Sequence, residues 1–180
     1  MVPEKPLIHR LLGPWENRAR LDFWAPEFSA EYRNGRSISV TDLGTPATYP
    51  ATEEVVIKAV NQHRDLVFSF SIKSESSQPV TVGQVLECVY RGMQAMPKFA
   101  MIYQFSRLES AYRMRQYAEG NSIVDDYYWR NIDWGNIDRG NINWRNIDYF
   151  GGDHMFGGFQ MDREGVFHLL VGPLALARSE

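Results

Sequence analysis

Leu66, Phe68, Phe70 and Ile72 alternate with Ser69, Ser71 and Lys73, and this period of two predicts a half-buried strand over Leu66–Lys73. Glu54–Val60 reads as the strand before it, and Ser37–Thr41 and Leu21–Trp24 read as shorter ones. The pattern then changes period. Val82, Val85, Leu86, Val89 and Met93 follow helical spacing, and Thr81-Val-Gly-Gln84 in front of them is a capping-box sequence. Met96-Pro97 ends that helix. A second helix is predicted from about Phe99 to Tyr117, carrying Ile102, Phe105, Leu108 and Tyr112, with Arg113 and Arg115 suited to the negative end of its dipole.

Three short strands are predicted after the helices, over Asn146–Phe150, Met155–Gln160 and Val166–Val171, with turns at Gly151-Gly152-Asp153 and Asp162–Gly165. Strands, then helices, then strands define an α+β class: a mainly antiparallel sheet with two helices packed on one face. Residues 1–20 carry three prolines and the apolar Leu7, Ile8, Leu11 and Leu12, and read as an arm docked by those side chains. Residues 21–180 read as one domain.

One segment fits neither period. Asn131-Ile-Asp-Trp-Gly, Asn136-Ile-Asp-Arg-Gly, Asn141-Ile-Asn-Trp-Arg and Asn146-Ile-Asp-Tyr-Phe form a tandem five-residue repeat. A period of five gives no common face on a helix and alternates faces on a strand. The segment is similar to a pentapeptide repeat, but a single coil of such a solenoid has no stacked neighbour to bury its core. An inserted aromatic loop at about 127–145 is the simpler reading.

Tyr127, Tyr128, Trp129, Trp134, Arg139, Trp144 and Arg145 in and beside that loop are the candidate binding residues, because Trp, Tyr and Arg dominate interface hot spots. The alternative is that the rings fold back over the sheet as a lid. Single-strand nucleic-acid stacking is disfavoured: Asn121–Phe150 holds five Asp against three Arg, and the whole chain has a net charge of −3.

Composition narrows the class further. Hydrophobic residues at 44% and charged residues at 23% of 180 fit one globular domain rather than a disordered chain. Cys88 is the single cysteine, so no internal disulfide forms, and this fits an intracellular (cytoplasmic or nuclear) protein. No secretory signal is read at the N-terminus, and Val166–Ala177 is too short and too interrupted to span a bilayer.

The order of motifs resembles a known family. Asp42-Leu43, Pro46-Ala-Thr-x-Pro50, Val80-Thr-Val-x-x-Val-Leu86 with Tyr90, Ala111-x-x-x-Arg115, Arg145-Asn-Ile-Asp-Tyr-Phe150, Phe156-x-Gly-Phe159 and Phe167-x-Leu-Leu170 are similar to the fungal, mostly basidiomycete, domain of unknown function numbered family 6699. The resemblance covers about Leu21 to Val171. Gln84 replaces a usual acidic residue and Phe167 a usual Trp. The resemblance implies no activity, cofactor or catalytic residue.

Catalytic signatures are sparse. Cys88 lies off the apolar stripe of its helix and reads as a packing cysteine. Asp148, Asp153, His154 and His168 form the alternative acid–base or metal set, although their spacing matches no metal motif. Gly151-Gly152 and Gly157-Gly158 read as turn and bulge residues rather than a phosphate loop. No cofactor or metal is expected. The expected function is a non-catalytic protein-interaction or ligand-binding module. The alternatives are a small enzyme using the Asp/His set, or a protein that self-associates through the Asn-Ile-Asp repeat.

Overall fold

The computed structural model describes residues 7–14, 18–60, 66–74, 77–95, 105–120, 145–150, 153–162 and 164–172, with the backbone alone for 105–109. The fold is α+β. Its centre is a four-stranded sheet of β5 (Glu54–Val60), β6 (Leu66–Lys73), β7 (Met155–Met161) and β8 (Phe167–Gly172), in the order β6-β5-β8-β7. Hairpin pairs β5–β6 and β7–β8 are antiparallel, and β5–β8, which joins them, is parallel.

The register follows from the apolar pattern. Ile57 lies between Phe70 and Phe167, and Ala59 between Phe68 and Leu169, so the alternating apolar side chains of three strands share one face. Phe159 continues that face opposite Leu169, and Phe156 meets both Phe159 and Phe23 edge-on.

Helix α2 (Val82–Gln94) covers this face. Its start is the predicted capping box: Thr81 Oγ1 accepts from the Gln84 amide at 3.3 Å, and Gln84 Oε1 accepts from the Thr81 amide at 2.9 Å. Val82, Val85, Leu86, Val89 and Met93 are all buried. A side chain at Gly92 would stand 3.3 Å from the Phe70 ring and 3.4 Å from that of Phe68, so the helix rests on these rings through a bare backbone. Helix α3 (Phe105–Ala118) joins this layer through a 3-10 turn at Asn146–Phe150. The predicted start of α3 at Phe99 lies outside the described residues.

The first residues reach far into the core. Leu11 and Leu12 are buried, and the Phe159 amide donates to the Leu12 carbonyl at 2.7 Å. β1 (Leu7–Ile8) pairs with β4 (Thr48–Tyr49), and β2 (Arg20–Leu21) with β3 (Ala30–Glu31), each antiparallel.

Two predicted strands are corrected. Ser37–Thr41 contains the start of a short helix, α1 (Val40–Leu43), because Ser39 Oγ caps it by accepting from the Asp42 amide at 3.1 Å. Ile38 is buried while Val40 is 86% exposed, so the apparent alternation never forms one face. Asn146–Phe150 is the 3-10 turn and not a strand. It buries Asn146, Ile147 and Asp148 in succession, which a strand with alternating faces does not do.

Candidate functional site

Tyr127, Tyr128, Trp129, Trp134, Arg139 and Trp144, with the repeat up to Trp144, lie outside the described residues. The described residues on either side of 121–144 meet. Glu119 Oε1, in the turn after α3, accepts from Arg145 Nη1 at 2.7 Å and from Arg115 Nη1 at 3.1 Å. Glu119 and Arg145, on either side of residues 121–144, are therefore joined by one ion pair.

Beneath that pair is a charged network sealed from solvent. Arg115 Nε and Nη2 donate to the two carboxylate oxygens of Asp148 at 2.9 and 3.1 Å. The Arg145 amide adds a third donor to Asp148 at 2.9 Å, and the Tyr112 ring lies 5.2 Å from the Arg115 guanidinium carbon. Burial pushes the Asp148 carboxyl up, and the hydrogen bonds and charge of Arg115 oppose that push. Beside them Asn146 is fixed to the end of α2. Its amide donates to the Ala95 carbonyl at 3.0 Å and its side chain to the Gly92 carbonyl at 2.7 Å. Ile147 fills the core between.

Every side chain of Asn146-Ile147-Asp148 thus has a fold role, and Arg145 closes the loop above them. In the sequence, Arg145 is a candidate binding residue and Asp148 a member of the acid–base set. Arg115 stands there as a helix-dipole partner and as the end of the Ala111-x-x-x-Arg115 motif, and nothing singles out Glu119.

The acid–base set is dispersed. Asp148 is held by Arg115. Asp153 lies in the turn before β7, where burial pushes its carboxyl up. His154 stacks on Trp24, with ring centroids 4.0 Å apart at an angle of 13°. His168 lies opposite Gln160 on β8, roughly 20 Å along the hairpin from His154 at 3.3 Å per residue. There it meets Asp162, which sequence reasoning treated as a turn residue, at 2.8 Å from Nε2 to Oδ2. The other Asp162 oxygen accepts from the Glu164 and Val166 amides at 2.8 and 3.0 Å. The His168 hydrogen bond is the main cause that holds the Asp162 carboxyl down at about 2.

Among the described residues, no group of three or more His, Cys, Asp or Glu is placed to hold a metal ion. Burial pushes the Cys88 thiol up, the opposite of what a nucleophile needs. A second polar group forms at α1, where Tyr32 donates its hydroxyl to Asp42 and Ser39 Oγ donates to it at 2.7 Å. These bonds, that of Tyr32 first, hold the Asp42 carboxyl low and secure the turn ahead of Pro46.

Fold and site together define an α+β domain in which a charged, buried clamp joins the end of α3 to the 3-10 turn. Over residues 19–165 the chain matches the model of the family of unknown function DUF6699, and it belongs to that family. No curated protein and no solved structure matches it. Among the described residues, no helix is long and apolar enough to cross a membrane.

Proposed function

We propose that this chain is a non-catalytic interaction or ligand-binding module whose binding surface is the aromatic repeat segment between Glu119 and Arg145. The observation that carries this reading is the occupied clamp. Arg115 has one bidentate fork, and Asp148 of the last Arg-Asn-Ile-Asp unit fills it. The same four residues at Arg130–Asp133 are a second copy of a unit whose structural place is already taken. Extra copies rich in Trp and Tyr therefore serve something other than this core, and such side chains are suited to a partner surface. The Glu119–Arg145 pair gives that surface a fixed base.

The alternative of a small enzyme using Asp148, Asp153, His154 and His168 has less support, because Asp148 is held by Arg115, His154 stacks on Trp24, and His168 is bonded to Asp162 at the far end of the hairpin. Self-association through the repeat remains the third reading. The motif order supports a fungal source, and the single cysteine supports an intracellular site. The acidic balance of Asn121–Phe150 supports a protein or small-molecule ligand over nucleic acid.

The test compares the intact chain with a variant lacking Arg130–Trp144, both checked for folding by circular dichroism. Ligands captured from a native lysate are then purified and titrated directly against each form. Direct binding by the intact chain alone is the expected result. Equal binding by both forms overturns the assignment, and turnover of a captured small molecule overturns the non-catalytic reading.

A further inference from the structure

The clamp engages four consecutive residues. Arg145 bonds to Glu119 through its side chain and to Asp148 through its amide. Asn146 bonds to the Ala95 and Gly92 carbonyls, Ile147 is buried, and Asp148 holds Arg115. These partners lie at the end of α2, on α3, at Glu119, or within the unit itself.

The sequence supplies that unit twice. Trp129-Arg-Asn-Ile-Asp133 and Trp144-Arg-Asn-Ile-Asp148 are identical over five residues, fifteen positions apart. The copies between them are not equivalent. A shift of five positions would bring Gly140 and Asn143 to the places of Arg145 and Asp148, and a shift of ten would bring Gly135 and Asp138. Both leave Glu119 without its second arginine, and the first sets the buried Arg115 against an uncharged amide. A shift of fifteen restores every donor and acceptor.

We propose that the clamp has two occupants, and that Arg130–Asp133 exchanges with Arg145–Asp148 in a second register of the same fold. The exchange moves fifteen residues from the stretch before the clamp to the stretch between the clamp and β7. Loop-closure entropy changes slowly with length, so neither stretch forbids it. The next two residues favour the described register. Tyr149 packs against the core and Phe150 is buried, where the shifted register offers Trp134 and Gly135. The shifted register is therefore the minor one. A partner that prefers one register shifts the population toward it. The exchange itself needs no ligand, and it stands apart from the binding role of the segment.

Hydrogen exchange followed by NMR on the full chain reads the register, because the Asn146 amide is bonded to the Ala95 carbonyl. Asp148→Ala removes the carboxylate from the second copy alone. The expected result is a folded chain in which protection disappears at Asn146 and appears at Asn131. Adding Asp133→Ala lowers the urea midpoint below that of Asp148→Ala, whereas Asp133→Ala in the parent leaves the midpoint unchanged. The variant lacking Arg130–Trp144 carries a single copy, so Asp148→Ala lowers its midpoint by more than it lowers that of the intact chain. If Asp148→Ala fails to fold, Phe150→Ala is read at the same two amides. It keeps both carboxylates and removes the buried ring that favours the described register, and protection shared between Asn131 and Asn146 is expected. An Asn131 amide that stays unprotected in the variant read, or a cost of Asp148→Ala that is the same with and without the first copy, overturns the proposal.

Discussion

Arg115 and Asp148, 33 positions apart in sequence, form a two-bond ion pair with both side chains fully buried, at 2.9 and 3.1 Å. Burying two charges costs several kcal/mol per ion, which only good geometry and further hydrogen bonds offset. The fork of Arg115 supplies the geometry. Glu119 and the Arg145 amide supply the further bonds. The pair is therefore better understood as a device that fixes where the segment begins and ends than as a source of net stability.

Removing one partner strands the other. Arg115→Met leaves the Asp148 carboxylate buried with the Arg145 amide as its remaining donor, and is expected to cost roughly 3–5 kcal/mol. The double variant Arg115→Met/Asp148→Leu removes both charges and is expected to be more stable than Arg115→Met alone. Urea unfolding of Arg115→Met, Asp148→Leu, the double variant and the parent measures this. A double variant that loses the sum of the two single losses would show that the charges contribute independently, contrary to the clamp.

Two glycines with positive φ separate strain from contact. Gly158, at φ +95°, forms part of the bulge in β7, and a Cβ there would lie 2.4 Å from the Gly13 carbonyl oxygen. Gly165, at φ +84°, has nothing within 4 Å of the same position. Gly165→Ala is expected to cost about 1 kcal/mol from backbone strain. Gly158→Ala is expected to cost more and to displace residues 12–14 from β7. Hydrogen exchange at the Phe159 amide, which Leu12 protects, is the direct readout. Equal effects of the two substitutions would show that the Gly13 contact is unimportant.

The parts of this fold that are legible in the sequence are those decided locally. Thr81 and Gln84 satisfy each other within one helical turn, and the stripe from Val82 to Met93 needs only helical spacing to be recognised. The alternation from Phe68 to Ile72 is equally plain, although a bulge at Val67 turns Leu66 to the other face. Arg115 is different: a charged side chain near a helix end looks solvated, and its burial depends on an aspartate 33 positions later. The space that demands Gly158 comes from Gly13, at the other end of the chain. Ser37–Thr41 and Asn146–Phe150 look strand-like because apolar and polar residues alternate there. In the first, Ser39 caps a helix instead. In the second, Asn146 and Asp148 find buried partners on α2 and α3, so polar side chains go inward beside Ile147.

Asp162 gives a pH signature. Its carboxyl is held at about 2 against an ordinary 3.8, chiefly by the hydrogen bond with His168 and then by backbone amides. A carboxyl held down in the folded state stabilises it above the ordinary value, and that contribution is lost as the pH falls toward the folded value. His168→Ala removes the largest cause. The Asp162 titration, followed by carboxyl NMR, is then expected to move up toward 3.8, while the Glu164 and Val166 amides still hold it lower. Acid unfolding of the variant is expected to begin at a higher pH. A titration that does not move would show that the turn amides alone set it.

The clamp also predicts what removing the segment does. With Glu119 and Arg145 joined, and Asn146, Ile147 and Asp148 retained, deletion of Arg130–Trp144 leaves every described contact of the 3-10 turn in place. It removes more than half of the residues between Glu119 and Arg145. Loop-closure entropy changes slowly with length, so the deletion is expected to shift stability by about 1 kcal/mol or less, toward the more stable side. Extending the deletion through Asp148 removes the partner of Arg115 and is expected to prevent folding or to cost several kcal/mol. Thermal and urea unfolding of both variants distinguish the cases. If the shorter deletion is as damaging as the longer one, the segment belongs to the core. If it is nearly silent, the repeat is dispensable to the fold, and the role of its aromatic side chains lies in what they bind.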